Sequence, residues 1–240
     1  MLIVSGYYNI PSKRDCNFYY NHIERFFRYV KTPVLFFTDI KNYEILKKWK
    51  TEYITFYIQE FEELDVFRYF PIDFWKSEIQ KDPENKYHTW QLGALWANKA
   101  RFVNKALTLY PNYEWYMWVD AGCIRNDAWA AIIDNFGKRK LPDIPGIYCQ
   151  LLNNSINKKY FKFPDISIAG SHILFHKNFI QLFINSYSDM LKQYNSNNIS
   201  LISDQYIISS MALTYSFINT ILYNPNIHSI DRWFFFFYLF

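Results

Sequence analysis

Apolar residues along this chain fall into short unbroken blocks, separated by segments whose apolar positions recur with helical spacing. Residues 2–8, LIVSGYY, predict a buried strand. From Asp15 to Val30 the stripe Tyr19, Ile23, Phe26, Phe27 and Val30 predicts a helix. VLFFT then predicts a second strand ending at Asp39, residues 41–50 a charged helix, and YITFYI at 53–58 a third strand. This β-α-β-α-β opening argues for a parallel sheet with crossover helices. Residues 59–88, with Pro71 and Pro83, predict short helices and loops, and residues 89–109 one long helix. EWYMWV at 114–119 predicts a strand that stops at Asp120-Ala121-Gly122. Residues 123–145 are mixed, punctuated by Gly137, Pro142 and Pro145. Strands are predicted at 146–152, 166–175 and 218–223, helices at 177–194 and 203–215, and a polar, Lys-rich loop at 153–165. The chain shows no internal repeat and no flexible linker. It reads as one α/β domain over residues 1–240, doubly wound up to about residue 125 and mixed from 126 to 240.

Composition narrows the class. A chain of 240 residues, half hydrophobic and 20% charged, can bury a full core. A net charge of +4 without a basic run argues against a nucleic-acid partner. Six glycines, none in GxGxxG or GxxxxGK[ST] order, argue against a standard dinucleotide fold or a P-loop. Cys16, Cys123 and Cys149 form no metal pattern and fit free thiols in a reducing, cytoplasmic setting. The N-terminus lacks signal-peptide character, and no run reaches the length of a membrane span. The Ile, Asn, Lys, Phe and Tyr richness fits an AT-rich genome, of a microbe or a large virus acting in its host's cytoplasm. Aromatic residues make up 22% of the chain. Most suit a core, and aromatic faces also suit sugars and bases. The tail WFFFFYLF, residues 233–240, is expected to pack on the domain, with weak membrane or oligomer contact as the alternative.

Several polar residues stand out against this background. Asp120 ends an apolar strand, where open α/β sheets bind ligands, and Ala121 and Gly122 let a ligand approach closely. A carboxylate there suits a metal ion or a ribose hydroxyl, with a turn Asp capping the next segment as the alternative. Lys99 falls within an apolar helical stripe. Pattern leaves three readings: a structural carboxylate partner, a ligand phosphate, or an ammonium reaching solvent. Gly170 in mid-strand predicts a bulge or a close backbone approach, beside Ser171 and a buried His172. Ser203-Asp204-Gln205 has the composition of a helix cap. Asp165, Arg125 and His228 are further polar candidates, each weak alone.

Taken in order, VSGYYNI, FFTD, Trp96 to Lys99 (WxxK), WVDAGCIR (118–125), AGSHILF (169–175) and SDQ (203–205) resemble the HtrL/YibB family. That family includes WlaTC-like sequences of surface-glycan loci. It is similar to glycosyltransferases of the GT-A fold, and the resemblance spans nearly the whole chain. It implies a nucleotide-binding half, residues 1–125, and an acceptor and sugar half, residues 126–240. It further implies transfer of a sugar from a nucleotide-sugar donor, most simply a UDP-sugar, to a hydroxyl of a glycan or glycoprotein acceptor. Tyr7, Tyr8, Asn9 and Arg14 would hold the nucleotide, with Lys99, Asp120, Ala121, Gly122 and Arg125 around ribose and diphosphate. Gly170 and Ser171 would line the sugar pocket. Asp204, Gln205 and Asp165 are the implied catalytic residues, for either stereochemical outcome. Asp120 and His228 are the implied ligands of Mn²⁺ or Mg²⁺. The usual Asp-x-Asp motif has Gly122 at its second acidic position here. That departure leaves metal-free catalysis through Lys99 or Arg125 open. It also motivates the alternative of a lapsed domain that binds glycan or a protein partner.

Overall fold

The computed structural model describes residues 1–152, 160–162, 168–224 and 232–240. In chain order it contains β1 (Leu2–Tyr7), α1 (Cys16–Tyr29), β2 (Val34–Thr38), α2 (Ile40–Leu46), β3 (Ile54–Ile58), α3 (Ile72–Glu78), α4 (Trp90–Ala97), α5 (Lys99–Leu109), β4 (Trp115–Val119), α6 (Ala130–Ile133), β5 (Ile147–Leu151), β6 (Ile168–His176), α7 (Ile180–Ser196), α8 (Asp204–Thr214), β7 (Ile218–Leu222) and α9 (Phe236–Leu239).

The described strands form one seven-stranded sheet in the order β3-β2-β1-β4-β6-β5-β7. β1, β2, β3 and β4 run parallel, and β6 is antiparallel to both its neighbours. A parallel first half joined to a mixed second half is the layout that the sequence predicts. The physical cause lies in the strands. Their residues alternate between two faces, and both faces are apolar. Leu2 and Val4 of β1, Leu35 and Phe37 of β2, and Tyr116 and Trp118 of β4 pack into one core with α5, α7 and α8. Ile3, Phe36, Met117 and Val119 pack into the other, with α1 and the C-terminal aromatic residues.

Two local features depart from the sequence reading, at Asn98 and Ser203, and a third, the packing of the tail on the domain, meets it. The helix predicted over 89–109 is interrupted at Asn98. There the Asn98 side chain accepts the Val66 N–H at 3.0 Å, and α5 starts at Lys99. Ser203 makes no side-chain cap at the start of α8, and Asp204 beside it is buried and paired with Lys99. The tail is core. Phe234, Phe235, Phe236, Phe237 and Phe240 are buried, Gly137 N–H donates to the Phe240 carbonyl, and Arg139 donates to that of Phe237. The expectation that residues 233–240 pack on the domain is met. Among the described residues no helix is long and apolar enough to cross a membrane.

The bulge predicted at Gly170 is present. Cys149 pairs with Ile173, but the next residue, Gln150, pairs with Ala169. Residues 170–172 therefore have no counterpart on β5 and press toward β4, where Asp120 N–H donates to the Ser171 carbonyl at 2.9 Å.

Candidate active site

β1 and β4 end side by side, and a cavity of about 440 Å³ opens beyond their carboxyl ends. Tyr7, Tyr8, Tyr19 and Phe18 form its aromatic wall, with His22 from α1 and Trp96 from α4. Its basic residues are Lys13, Arg14, Lys99 and Arg125. Asp120 is the only carboxylate among the described residues lining it. A second cavity of about 170 Å³ adjoins it, and the two share Trp96, Lys99, Asp120, Arg125 and Phe234. Gly170, Ser171, Asp204, Gln205 and Trp233 complete the second.

Lys99 stands at the junction. Its side chain points inward from the first residue of α5 and is only 5% exposed. Its ammonium donates to the Gly170 carbonyl at 2.7 Å and lies 2.8 Å from Asp204 Oδ2 and 3.2 Å from Asp120 Oδ1. Of the three readings left open for Lys99, the structural carboxylate partner is therefore observed, and the solvent-reaching one is not. Burial works to lower the Lys99 pKa, but the charges of Asp120 and Asp204 outweigh it and raise the value above normal. Burial also raises the Asp204 carboxyl pKa, against the pull of Lys99. Gly170 is what allows this packing. A Cβ there would stand 2.7 Å from Asp204 Oδ1.

The two carboxylates differ in access. The Asp204 side chain is 4% exposed and that of Asp120 38%. Asp120 Oδ1 also accepts the Trp118 indole N–H at 2.7 Å. Trp118 stacks on Phe102, which stacks on Tyr8, so a row of rings backs the site. Burial raises the pKa of both Tyr7 and Tyr8. Ser171 Oγ donates to the Trp233 carbonyl at 2.5 Å, which fixes the tail against the second cavity. The Gln205 amide donates to the Ile168 carbonyl at 3.1 Å. Arg125 lies over the Phe234 ring, 4.9 Å from its centroid. His22 is held below its usual pKa by burial and by Arg25 and Arg125, so it presents a neutral ring at pH 7.

The structure thus gathers Tyr7, Tyr8, Arg14, Lys99, Asp120, Ala121, Gly122, Arg125, Gly170, Ser171, Asp204 and Gln205 around two adjoining cavities. Asn9 is not among the residues brought together there. Ile10 N–H closes a tight turn onto the Tyr8 carbonyl, and Asn9 is exposed and lines neither cavity. Asp165 and His228 lie outside the described residues. The sequence reading missed Lys13, Tyr19, His22, Trp233 and Phe234. Tyr19 and His22 sit three apart on one face of α1, a usable signal. Trp233 and Phe234 carried none, since they read simply as core.

Of the two implied metal ligands only Asp120 is among the described residues. Among the described residues no three His, Cys, Asp or Glu side chains converge. Asp120 is the accessible carboxylate, and its Oδ1 already receives an indole N–H and faces the Lys99 ammonium.

No protein-family model matches the chain, and no curated protein does. The HtrL/YibB resemblance therefore rests on its motifs alone. Solved structures similar to this chain include a glycosyltransferase involved in glycosylation of the major capsid of PBCV-1. It is 11% identical, with a TM-score of 0.45 over 93% of this chain and 81% of that one. A cytidylyltransferase from Leptospira borgpetersenii serovar Hardjo-bovis gives 12% identity and a TM-score of 0.40, over 93% and 75%. A CMP:2-keto-3-deoxy-manno-octonic acid synthetase complexed with CTP gives 7% and 0.42, over 92% and 88%. At such values function has to be read from the site itself.

Proposed function

We propose that the protein transfers a glycosyl group from a nucleotide-sugar donor, a UDP-sugar in the first instance, to a hydroxyl of a glycan or glycoprotein. The observation that carries this reading is the pair of adjoining cavities at the carboxyl ends of β1 and β4. The larger has aromatic walls for a base and basic side chains for a diphosphate. The smaller offers a compact polar pocket between Trp96 and Trp233, suited to a sugar ring.

In this reading the bond between the anomeric carbon and the diphosphate oxygen breaks, and its electron pair leaves with the nucleoside diphosphate. The acceptor oxygen bonds to the anomeric carbon, and its proton passes to Asp204. Asp204 lines the smaller cavity, and its burial favours the protonated form. Gln205 stands beside it. The basic residues of the larger cavity stabilise the charge that develops on the leaving group. The Mn²⁺ or Mg²⁺ implied by the resemblance enters no step here.

The test is nucleotide release from a panel of UDP-, GDP- and CMP-sugars with glycan acceptors, preceded by a thermal-shift screen of the nucleotides. A ligand at about 100 times its Kd adds about 2.7 kcal/mol of stability. Saturable UDP binding and turnover, both lost in Asp120→Ala, are expected. Glycan binding without turnover of any donor would favour the lapsed domain instead, and transfer of a nucleotidyl group would assign the chain to the other transferase class.

A further inference from the structure

The arrangement around Lys99 bears on how an anionic ligand is held beside acidic residues. Asp120 follows β4 and Asp204 opens α8, and both approach one point. Two carboxylates converging at the carboxyl end of a sheet would repel a diphosphate unless a cation stood between them. A cation does stand there, and it is covalent to the protein. The Lys99 ammonium lies 3.2 Å from Asp120 Oδ1, 2.8 Å from Asp204 Oδ2 and 2.7 Å from the Gly170 carbonyl. Three oxygens from three elements surround it, much as they would surround a small cation.

The larger cavity is basic beyond that point. Lys13 and Arg14 are exposed at its rim, and Arg125 is exposed where the two cavities meet. Lys13 lies 4.6 Å from the centroid of the Tyr87 ring and Arg14 5.3 Å from that of Phe18, so both heads are placed by aromatic surfaces. A divalent ion bound to Asp120 would stand against the Lys99 ammonium and face these side chains. Gly122, where a second acidic ligand would stand, has open space around it. An added Cβ would meet Tyr19 Cδ1 at 3.9 Å and nothing nearer.

We propose that the larger cavity binds the diphosphate of a nucleoside diphosphate without a divalent ion. Lys13 and Arg14 neutralise the phosphates, and Lys99 is the fixed cation that lets Asp120 and Asp204 lie beside them. This rests on the nucleotide reading of the cavity given above.

The experiment is calorimetric titration of the full chain with UDP, GDP and CDP, once in EDTA and once in Mn²⁺, repeated on Arg14→Gln and Gly122→Asp. The expected result is binding of at least one nucleotide with Kd values that agree within about twofold in the two buffers. Arg14→Gln weakens that binding in both buffers, by about fivefold or more. Gly122→Asp restores a second carboxylate, which weakens binding in EDTA and makes it responsive to Mn²⁺. Wild-type binding that falls about tenfold or more in EDTA and returns with Mn²⁺ overturns the proposal and leaves the nucleotide reading standing. Affinity unchanged in Arg14→Gln also overturns it. No binding of any nucleotide in either buffer overturns the nucleotide reading, and this proposal with it.

Discussion

The two cavities hold charge in opposite ways. At the rim of the larger one, Lys13 and Arg14 are exposed. In the smaller one, Asp204 is buried, within ion-pair distance of Lys99 at the junction of the two. A solvated charge can be exchanged at little cost to the fold, because water compensates its loss. A buried pair cannot lose one partner without stranding the other. Ligand affinity and fold stability should therefore separate across this one site.

The largest effect expected is on the buried side. Lys99→Met leaves Asp204 without its cation and should cost about 3–5 kcal/mol in urea unfolding. A loss near zero would mean that the ion pair contributes nothing to the fold. Gly170→Ala comes next, since its Cβ falls on the Asp204 carboxylate. Strain of about 1–3 kcal/mol is expected, measured the same way, with weaker substrate binding in the smaller cavity.

A pH effect of similar size comes from His172. The ring is fully buried among Phe136, Phe234, Phe236 and Phe237. Burial first, and the Lys99 charge second, push its pKa down to about 3, while the Trp233 backbone pulls weakly the other way. The folded state keeps the ring neutral, whereas the unfolded chain takes up a proton below about pH 6.5. Its contribution is thus complete above that value and is lost as the pH falls toward 3. About 2 kcal/mol should be gone by pH 5, seen as a falling urea midpoint. His172→Phe should flatten that part of the profile.

The smallest stability effects belong to the rim. Arg14→Gln should leave stability within about 0.5 kcal/mol while nucleotide affinity falls. If it destabilises the fold instead, the contrast between the two cavities fails.

Much of the fold was legible in the pattern of apolar residues. VLFFT is β2 without adjustment, and each predicted strand is present within a residue or two. The order of strands and helices also announced a parallel first half. The site was legible in pieces. Asp120 declared itself by ending an apolar strand, Lys99 by interrupting an apolar stripe, and Gly170 by standing in mid-strand. Asp204 was read with Ser203 as helix-cap chemistry, because a polar residue at a helix start has an ordinary local use. Asn9 was drawn in by its neighbours Tyr7 and Tyr8, and a single backbone turn sends it outward.

What the sequence alone determined, then, is what short-range physics decides: the period of each segment, the faces it must bury, and the strand ends at which polar residues emerge. Tertiary structure decided the pairing of those polar residues. Lys99 meets Asp120, Asp204 and Gly170 across sequence separations that no local pattern encodes. A buried charge takes its partner from whatever the packed elements bring within about 3 Å. The aromatic tail shows the same division. Its composition required burial, but only packing against α1 and the sheet placed Trp233 and Phe234 at the wall of the site.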